Sequence, residues 1–130
     1  MTRAQIIEHF IFVCRKPGIF VNSGSYVAVC AYLSGFDNAL CGAALDGFRE
    51  WLLMRGKEWN NMTWWALVRT EVLGPFGPDT ALSREDDQRL LAGLDALLSD
   101  FSEAVAGGMD RLYFQYGTWL HRQGRTFGIS

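Results

Sequence analysis

Cysteine is scarce in this sequence, and its spacing excludes several kinds of site. The chain of 130 residues has three cysteines, Cys14, Cys30 and Cys41, and no Cys-x-x-Cys pair. Zinc and dithiol redox motifs are built on such pairs, so neither is predicted. An odd number of thiols in a chain with enough apolar residues for a core indicates reduced, buried cysteines of a cytosolic protein.

The sequence also has little net charge and no long hydrophobic run. Its formal net charge is −2, which gives no general attraction to nucleic acid or to an anionic membrane. The apolar stretch 6–14 is interrupted by Glu8 and His9, and its positive charges follow it rather than precede it. A signal peptide has the opposite order, and a membrane span is longer. We therefore expect a cytoplasmic protein that binds neither nucleic acid nor membrane.

Signatures of catalysis and of cofactor binding are missing as well. The two histidines, His9 and His121, lack cysteine or carboxylate neighbours at metal-ligand spacing. The glycine-rich segments 74–78 and 107–108 match neither a phosphate-binding loop nor a dinucleotide-binding fingerprint. Residues 23–25, Ser-Gly-Ser, lack the nucleophile-elbow pattern of hydrolases. We expect no metal, no cofactor and no enzymatic activity.

The sequence does contain apolar side chains at helical spacing, with no strand-like alternation. Hydrophobic residues make up 49% and charged residues 20%, a composition typical of one globular domain that spans residues 1–130. The pattern predicts an all-α, single-domain bundle of five to six helices with short connections. The helix predicted over 26–36 is apolar on every side, so we expect it to be central and buried.

Residues that favour helix ends mark most of the predicted boundaries. Asp46 is the expected N-cap of a helix over 47–55, and Gly56 is expected to end that helix. A further helix should run to about residue 73, before the glycine- and proline-rich break. The candidate N-caps of the other helices are Thr2, Ser23 or Ser25, one of Asn60, Asn61 and Thr63, and Ser83.

The helix that begins after Ser83 has the clearest apolar stripe, and we expect it to be the longest or second longest. Asp95, Asp100 and Glu103 lie off this stripe and should face water. A second stripe marks a last helix over residues 109–120. The stripe of the earlier helix consists of Leu90, Leu91, Leu94, Leu97, Leu98, Phe101 and Val105.

Charge is distributed unevenly along the chain. Residues 1–70 contain seven Lys or Arg and five Asp or Glu, a balance of +2, and residues 111–130 contain three Arg and no acid, a balance of +3. Residues 71–110 contain two Arg and nine acids, a balance of −7. Acids in the first turn of a helix also interact favourably with its dipole, which accounts for part of this block. The candidate partner-binding residues are Asp79, Glu85, Asp86, Asp87, Asp95, Asp100 and Glu103.

Tryptophan is concentrated, since four of the five tryptophans lie within residues 46–65. Trp51 shares a helix face with Phe48 and Leu52 and should enter the core. The other three lie in or after the next connection, and adjacent helical residues do not point the same way, so at least one should be partly exposed. Tryptophans near arginine are typical of interface anchors. The alternative aromatic surface consists of Trp59, Trp64 and Trp65.

Three segments resemble a group of small bacterial proteins. Segment 15–20, RKPGIF, resembles the "(K)RPGMY(L/V)" end of that group's first helix, and segment 46–52, DGFREWL, resembles its "GF..W(L/V)" motif. Segment 60–64, NNMTW, resembles the "N(L/M)(S/T)W" that follows. The resemblance covers residues 6–68 in consistent order. Ile19-Phe20 replaces Met-Tyr, which removes a phenol hydroxyl.

The proteins of this group are found mostly beside toxin genes, and the resemblance implies an immunity protein of a contact-dependent or polymorphic toxin system. Such a protein would act as an antitoxin, by stoichiometric occlusion of its cognate toxin. Many toxins that act on nucleic acid are basic, so an acidic helix would suit such a partner. The motif residues indicate scaffold rather than toxin contacts. The alternatives are a small-ligand or enzymatic domain whose cleft is lined by tryptophans with Arg49 and Glu50, and a homo-oligomeric module that uses exposed aromatics.

Overall fold

The computed structural model describes residues 1–75 and 81–125, and over these two ranges it is helical with no strand. The all-α prediction is confirmed. A 3-10 turn, Pro17–Ile19, follows the first helix. The six α-helices are α1 (Arg3–Arg15), α2 (Tyr26–Ala39), α3 (Phe48–Gly56), α4 (Trp64–Leu73), α5 (Arg84–Ala104) and α6 (Asp110–Arg122).

Side-chain caps begin four of the six helices, at positions that the sequence predicted. The Thr2 hydroxyl accepts a hydrogen bond from the Gln5 amide at 3.2 Å, and the Gln5 side chain accepts one from the Thr2 amide at 2.8 Å. The hydroxyls of Ser25, Thr63 and Ser83 cap α2, α4 and α5 by accepting from the amide three residues further on, and Ser83 forms the reciprocal pair with Asp86 as well. Each cap satisfies an amide that the helix itself leaves without a partner.

Helix α3 begins and ends differently from the prediction. Its N-cap is Gly47, at φ 87, with no side-chain cap, so the expectation of an Asp46 cap is wrong. A Cβ at Gly47 would meet the side chain of Met109 and would lie 2.7 Å from Leu112 Cδ2. Gly47 therefore allows α6 to lie against the start of α3. The residue that ends α3 is Lys57, at φ 64, and Gly56 is the last helical residue.

Helix α5 is the centre of the fold. It has 21 residues, the longest of the six helices in the described ranges, and it packs against α1, α4 and α2. The seven residues of its predicted apolar stripe, from Leu90 to Val105, are all buried. Helix α2 was expected in this position and is instead peripheral, because Val27 on its outer face is 67% exposed.

Two polar side chains fix the segments that flank α3. The buried carboxylate of Asp37 accepts hydrogen bonds from the amides of Ala44 and Leu45, both at 2.9 Å. Arg49 donates to the carbonyl oxygens of Asn60 at 2.8 Å and Met62 at 2.7 Å. The Arg49 guanidinium thus holds the connection between α3 and α4.

The thiols differ from one another in exposure. Cys14 and Cys30 are buried, as expected, but Cys41 is exposed, which corrects the prediction of three buried cysteines. Cys41 lies at φ 55 in the turn that follows α2. No helix within the described residues is both long and apolar enough to cross a membrane.

Candidate functional site

Two of the candidate acidic residues in the first turn of α5 form hydrogen bonds within the fold. The Asp86 carboxylate accepts from the Ser83 amide at 3.1 Å, and the Ser83 hydroxyl accepts from the Asp86 amide at 3.0 Å. The hydrogen bond from the Ser83 backbone lowers the pKa of Asp86. The Asp87 carboxylate accepts from the Tyr26 amide at 2.8 Å and so joins α5 to the start of α2.

Asp95, in the middle of α5, is also bound to another helix. Arg15 at the end of α1 donates to it from Nε at 2.7 Å and from Nη2 at 3.3 Å. The side chain of Asp95 is 20% exposed, so the expectation that it faces water is wrong. Helix α1 packs against α5, and Arg15 is the last residue of α1.

The structure therefore separates the predicted acidic residues into some that are bonded within the fold and some that are exposed. Glu85, Asp100 and Glu103 are exposed on α5. Asp79 lies outside the described residues. We call the exposed surface of the second half of α5, formed by Ala96, Ser99, Asp100 and Glu103, the α5 face.

The predicted aromatic surface is not one surface. The Trp59 ring lies under the Arg125 guanidinium, 3.7 Å from ring centroid to Cζ, and Trp64 packs on Phe48 with 5.7 Å between centroids. Trp65 is 42% exposed, as expected for one member of the adjacent pair. The groove that Trp65 lines contains neither Trp59 nor Trp64. Arg49 and Glu50 do not line this groove either.

A polar cleft of about 720 Å³ lies between the end of α1, the segment before α2 and the first half of α5. Most of its polar groups already have partners, namely the Arg15–Asp95 pair, Asp87, and Ser25 as the cap of α2. Burial, with a smaller effect of the Asp95 charge, raises the pKa of the Cys14 thiol to about 12. A thiol with this pKa is protonated near neutral pH and is a poor nucleophile.

His9 belongs to an aromatic cluster between α1 and α2. Its Nε2 lies 3.1 Å from the Tyr32 hydroxyl, and its ring packs edge-on against Phe20 at 5.2 Å and lies 5.1 Å from Phe36, both between centroids. His121 is exposed on α6. In residues 1–75 and 81–125, no three His, Cys, Asp or Glu side chains are gathered so that they could hold a metal ion.

Sequence reasoning did not single out the groove between α2 and α4. Its lining includes Val27, Ala31 and Ser34 on the outer face of α2. The sequence contains the signal, because α2 is apolar on every side, but this pattern also predicts a central helix. A peripheral helix with this pattern exposes an apolar face instead.

No family model, no curated protein and no solved structure matches this chain.

Proposed function

We propose that this protein is an immunity-type binding protein, which neutralises a cognate bacterial toxin by covering the toxin's active cleft in a stoichiometric complex. Two observations support the proposal. The segments 15–20, 46–52 and 60–64 resemble proteins found beside toxin genes. The α5 face offers an acidic surface on a rigid helix, and this second observation carries the mechanism.

The α5 face combines small side chains with negative charge. Ala96 and Ser99 leave the helix surface smooth, and Asp100 and Glu103 follow them, while residues 92–104 contain no Lys or Arg. The opposite side of the same helix forms the core, with Leu94, Leu98 and Phe101 fully buried. A face held in this way loses little conformational entropy when a partner binds.

Electrostatic complementarity gives this surface a preferred partner. Opposite charge across an interface raises the association rate and discourages partners of the same sign. A toxin that acts on nucleic acid carries a basic cleft, because it must bind phosphates. The α5 face suits such a cleft, and the protein would protect the cell without chemistry of its own.

The test begins with the protein encoded by the gene next to this one. Asp100→Lys with Glu103→Lys reverses the charge of the α5 face, and both residues are exposed. A matched control with the same charge change is Glu8→Lys with Glu58→Lys, two exposed acids on other parts of the surface. We expect the first variant to associate with the toxin about tenfold more slowly at low salt, with a weaker salt dependence, and the control to resemble the wild type.

Protection of cells against the toxin should fall in the first variant and persist in the control. If both variants bind and protect as the wild type does, the α5 face is only solvated and the proposed interface is wrong. If the neighbouring gene product does not bind the purified protein at all, the immunity function itself is wrong.

A further inference from the structure

The outer surface of α6 presents an aromatic side chain to water. Phe114 is 77% exposed, the highest value for an aromatic residue in the described part of the chain. A shallow hollow of about 580 Å³ lies beside it, and Gly117 opens this hollow because it has no side chain and has free space at its Cβ position. We call this surface the α6 face, formed by Arg111, Phe114, Gly117, Thr118, His121 and Arg122.

The inner side of the same helix holds the α6 face in place. Leu112, Tyr116 and Leu120 are buried, and α6 packs against α3. The Thr118 hydroxyl donates to the Phe114 carbonyl oxygen at 3.1 Å, so this polar group is already bonded within the helix. The Phe114 ring therefore projects from a packed helix rather than from a frayed end.

Positive charge surrounds the exposed ring. Residues 111–125 contain three Arg and no acid. Arg111 and Arg122 are exposed, and the structure gives neither an ion pair among the residues that it describes. An apolar anchor with unpaired cations beside it favours a partner surface that is acidic.

The α5 face has the complementary charge. Asp100 and Glu103 are exposed, and neither forms an ion pair within residues 1–75 and 81–125. Ala96 and Ser99 are also exposed and are small, so they leave room for a large side chain between the acids. One molecule thus carries an aromatic, basic helix face and a small-residue, acidic helix face.

The two faces also match in their spacing. The α5 face occupies positions 96, 99, 100 and 103, and the centre of the α6 face occupies positions 114, 117, 118 and 121. Four residues at this spacing form the hole that receives a side chain from a facing helix. Phe114 fits the hole with Ala96 and Ser99 on its sides, and Gly117 lets the backbones approach closely.

We propose that the α6 face binds the α5 face of a second copy of this chain. Phe114 supplies the apolar anchor, and opposite charges on the two faces select the pairing. The two faces differ, so the contact is head-to-tail, and each added copy leaves one face of each kind available. One pair of helices forms a small interface, so the association is weak and reversible.

The inference does not rest on the immunity function, since self-association needs only the isolated protein. It does involve the surface of the proposed toxin interface, so a copy whose α5 face is covered in this way cannot hold a toxin there. Arg111→Glu with Arg122→Glu leaves the α5 face unchanged and should therefore abolish self-association but not toxin binding. The failure of this inference and the failure of the proposed function are thus distinguishable.

Sedimentation velocity of the purified protein tests the charge pairing. We expect the sedimentation coefficient of the wild type to rise with concentration up to about 1 mM at low salt, and less so at about 1 M salt. Asp100→Lys with Glu103→Lys makes both faces basic, and Arg111→Glu with Arg122→Glu makes both acidic. Each variant alone should stay monomeric, whereas an equimolar mixture of the two should associate, because opposite faces meet again.

The aromatic anchor has its own test and control. Phe114→Ala should weaken self-association at least about tenfold, as expected for a central aromatic anchor. Phe12→Ala removes an exposed ring from α1 and should leave self-association unchanged. Glu8→Lys with Glu58→Lys, exposed acids outside the α5 face, should also behave as the wild type does. Circular dichroism of each variant checks that the helices are intact.

Three results would overturn the proposal. The first is a wild type that remains monomeric at every concentration. The second is self-association that persists in Phe114→Ala and in both charge variants, which would place the contact on another surface. The third is a mixture of the two charge variants that stays monomeric. A monomeric wild type whose affinity for the toxin falls in Phe114→Ala would assign the α6 face to the toxin instead.

Discussion

Asp95 accepts a hydrogen bond from Arg15 Nε at 2.7 Å, across 80 residues of chain, and thereby ties the end of α1 to the middle of α5. The Arg15 side chain is 66% exposed, so water and salt screen the pair. We expect Asp95→Ala to lower the urea midpoint slightly, and Asp95→Lys to lower it more because it places a like charge beside Arg15. At about 1 M salt, where the screening length is about 3 Å, the two variants should converge.

The same relationship decides which acids belong in an interface experiment. A reversal at Asp95 would disturb the contact between α1 and α5 and would confound binding with stability. If Asp95→Lys matched the wild type in urea at low salt, the pair would contribute nothing to the fold, and Asp95 would return to the candidate surface.

Leu94 lies at the centre of the buried stripe of α5 and is fully buried. Leu94→Ala removes three carbon atoms from a close-packed site, so it should lower the free energy of unfolding by about 2–5 kcal/mol. Ser99→Ala, an exposed position of the same helix, should change it by less than about 0.5 kcal/mol. Equal denaturation midpoints for these two variants would mean that the stripe does not form the core.

The secondary structure was predictable where a local pattern decides it. The stripe of α5 and its Ser83 cap needed only periodicity and the chemistry of the first turn. The end of α4 at Leu73 follows from the glycine and proline after it. Such signals lie within a few residues of the structure that they determine.

Contacts between distant elements were not predictable in this way. Asp87 was a candidate for binding a partner and Asp95 was expected to face water, since nothing local shows that Tyr26 and Arg15 lie beside them. The prediction that α2 is central failed for a similar reason. An apolar helix surface fits both a central helix and a peripheral one with an exposed groove. The candidate acidic site was therefore only partly predictable. Of its residues on α5, the structure leaves Glu85, Asp100 and Glu103 exposed.

Gly47 and Gly56 lie at opposite ends of α3, and replacing them with alanine should have opposite effects. Gly47→Ala places a side chain at φ 87 and against Leu112 of α6. The free energy of unfolding should fall by about 1–2 kcal/mol from the backbone conformation and by about 1–3 kcal/mol from overpacking. Gly56 is helical with open space at its Cβ position, so Gly56→Ala should raise the free energy of unfolding by about 0.5–1 kcal/mol. Thermal unfolding of both variants checks the signs.

The three thiols should react at two different rates. Cys41 is exposed and should react quickly with a thiol reagent at pH 8. Cys14 and Cys30 are buried, and burial raises both pKa values to about 12, so about one in ten thousand is ionised at that pH. We expect one fast and two slow thiols in the native protein, and three fast ones in denaturant. Cys41→Ser should remove the fast phase, whereas its persistence would place Cys14 or Cys30 at the surface.

The capping box of α5 should make part of the stability depend on pH. The hydrogen bond from the Ser83 amide lowers the pKa of Asp86 in the folded state. The unfolded chain therefore takes up a proton at higher pH than the folded chain does. The stabilisation by Asp86 is complete above the unfolded pKa and is lost as the pH falls through the lower, folded value.

Asp86→Asn removes this titration, so its difference in unfolding free energy from the wild type should shrink as the pH falls from about 6 to about 2. Asp100→Asn, an exposed acid on the same helix, controls for the loss of one negative charge. Urea denaturation across this pH range gives both differences. A difference for Asp86→Asn that stays constant over the whole range would mean that the Ser83 amide does not bind the carboxylate in solution, and the helix would then depend on the Ser83 hydroxyl alone for its cap.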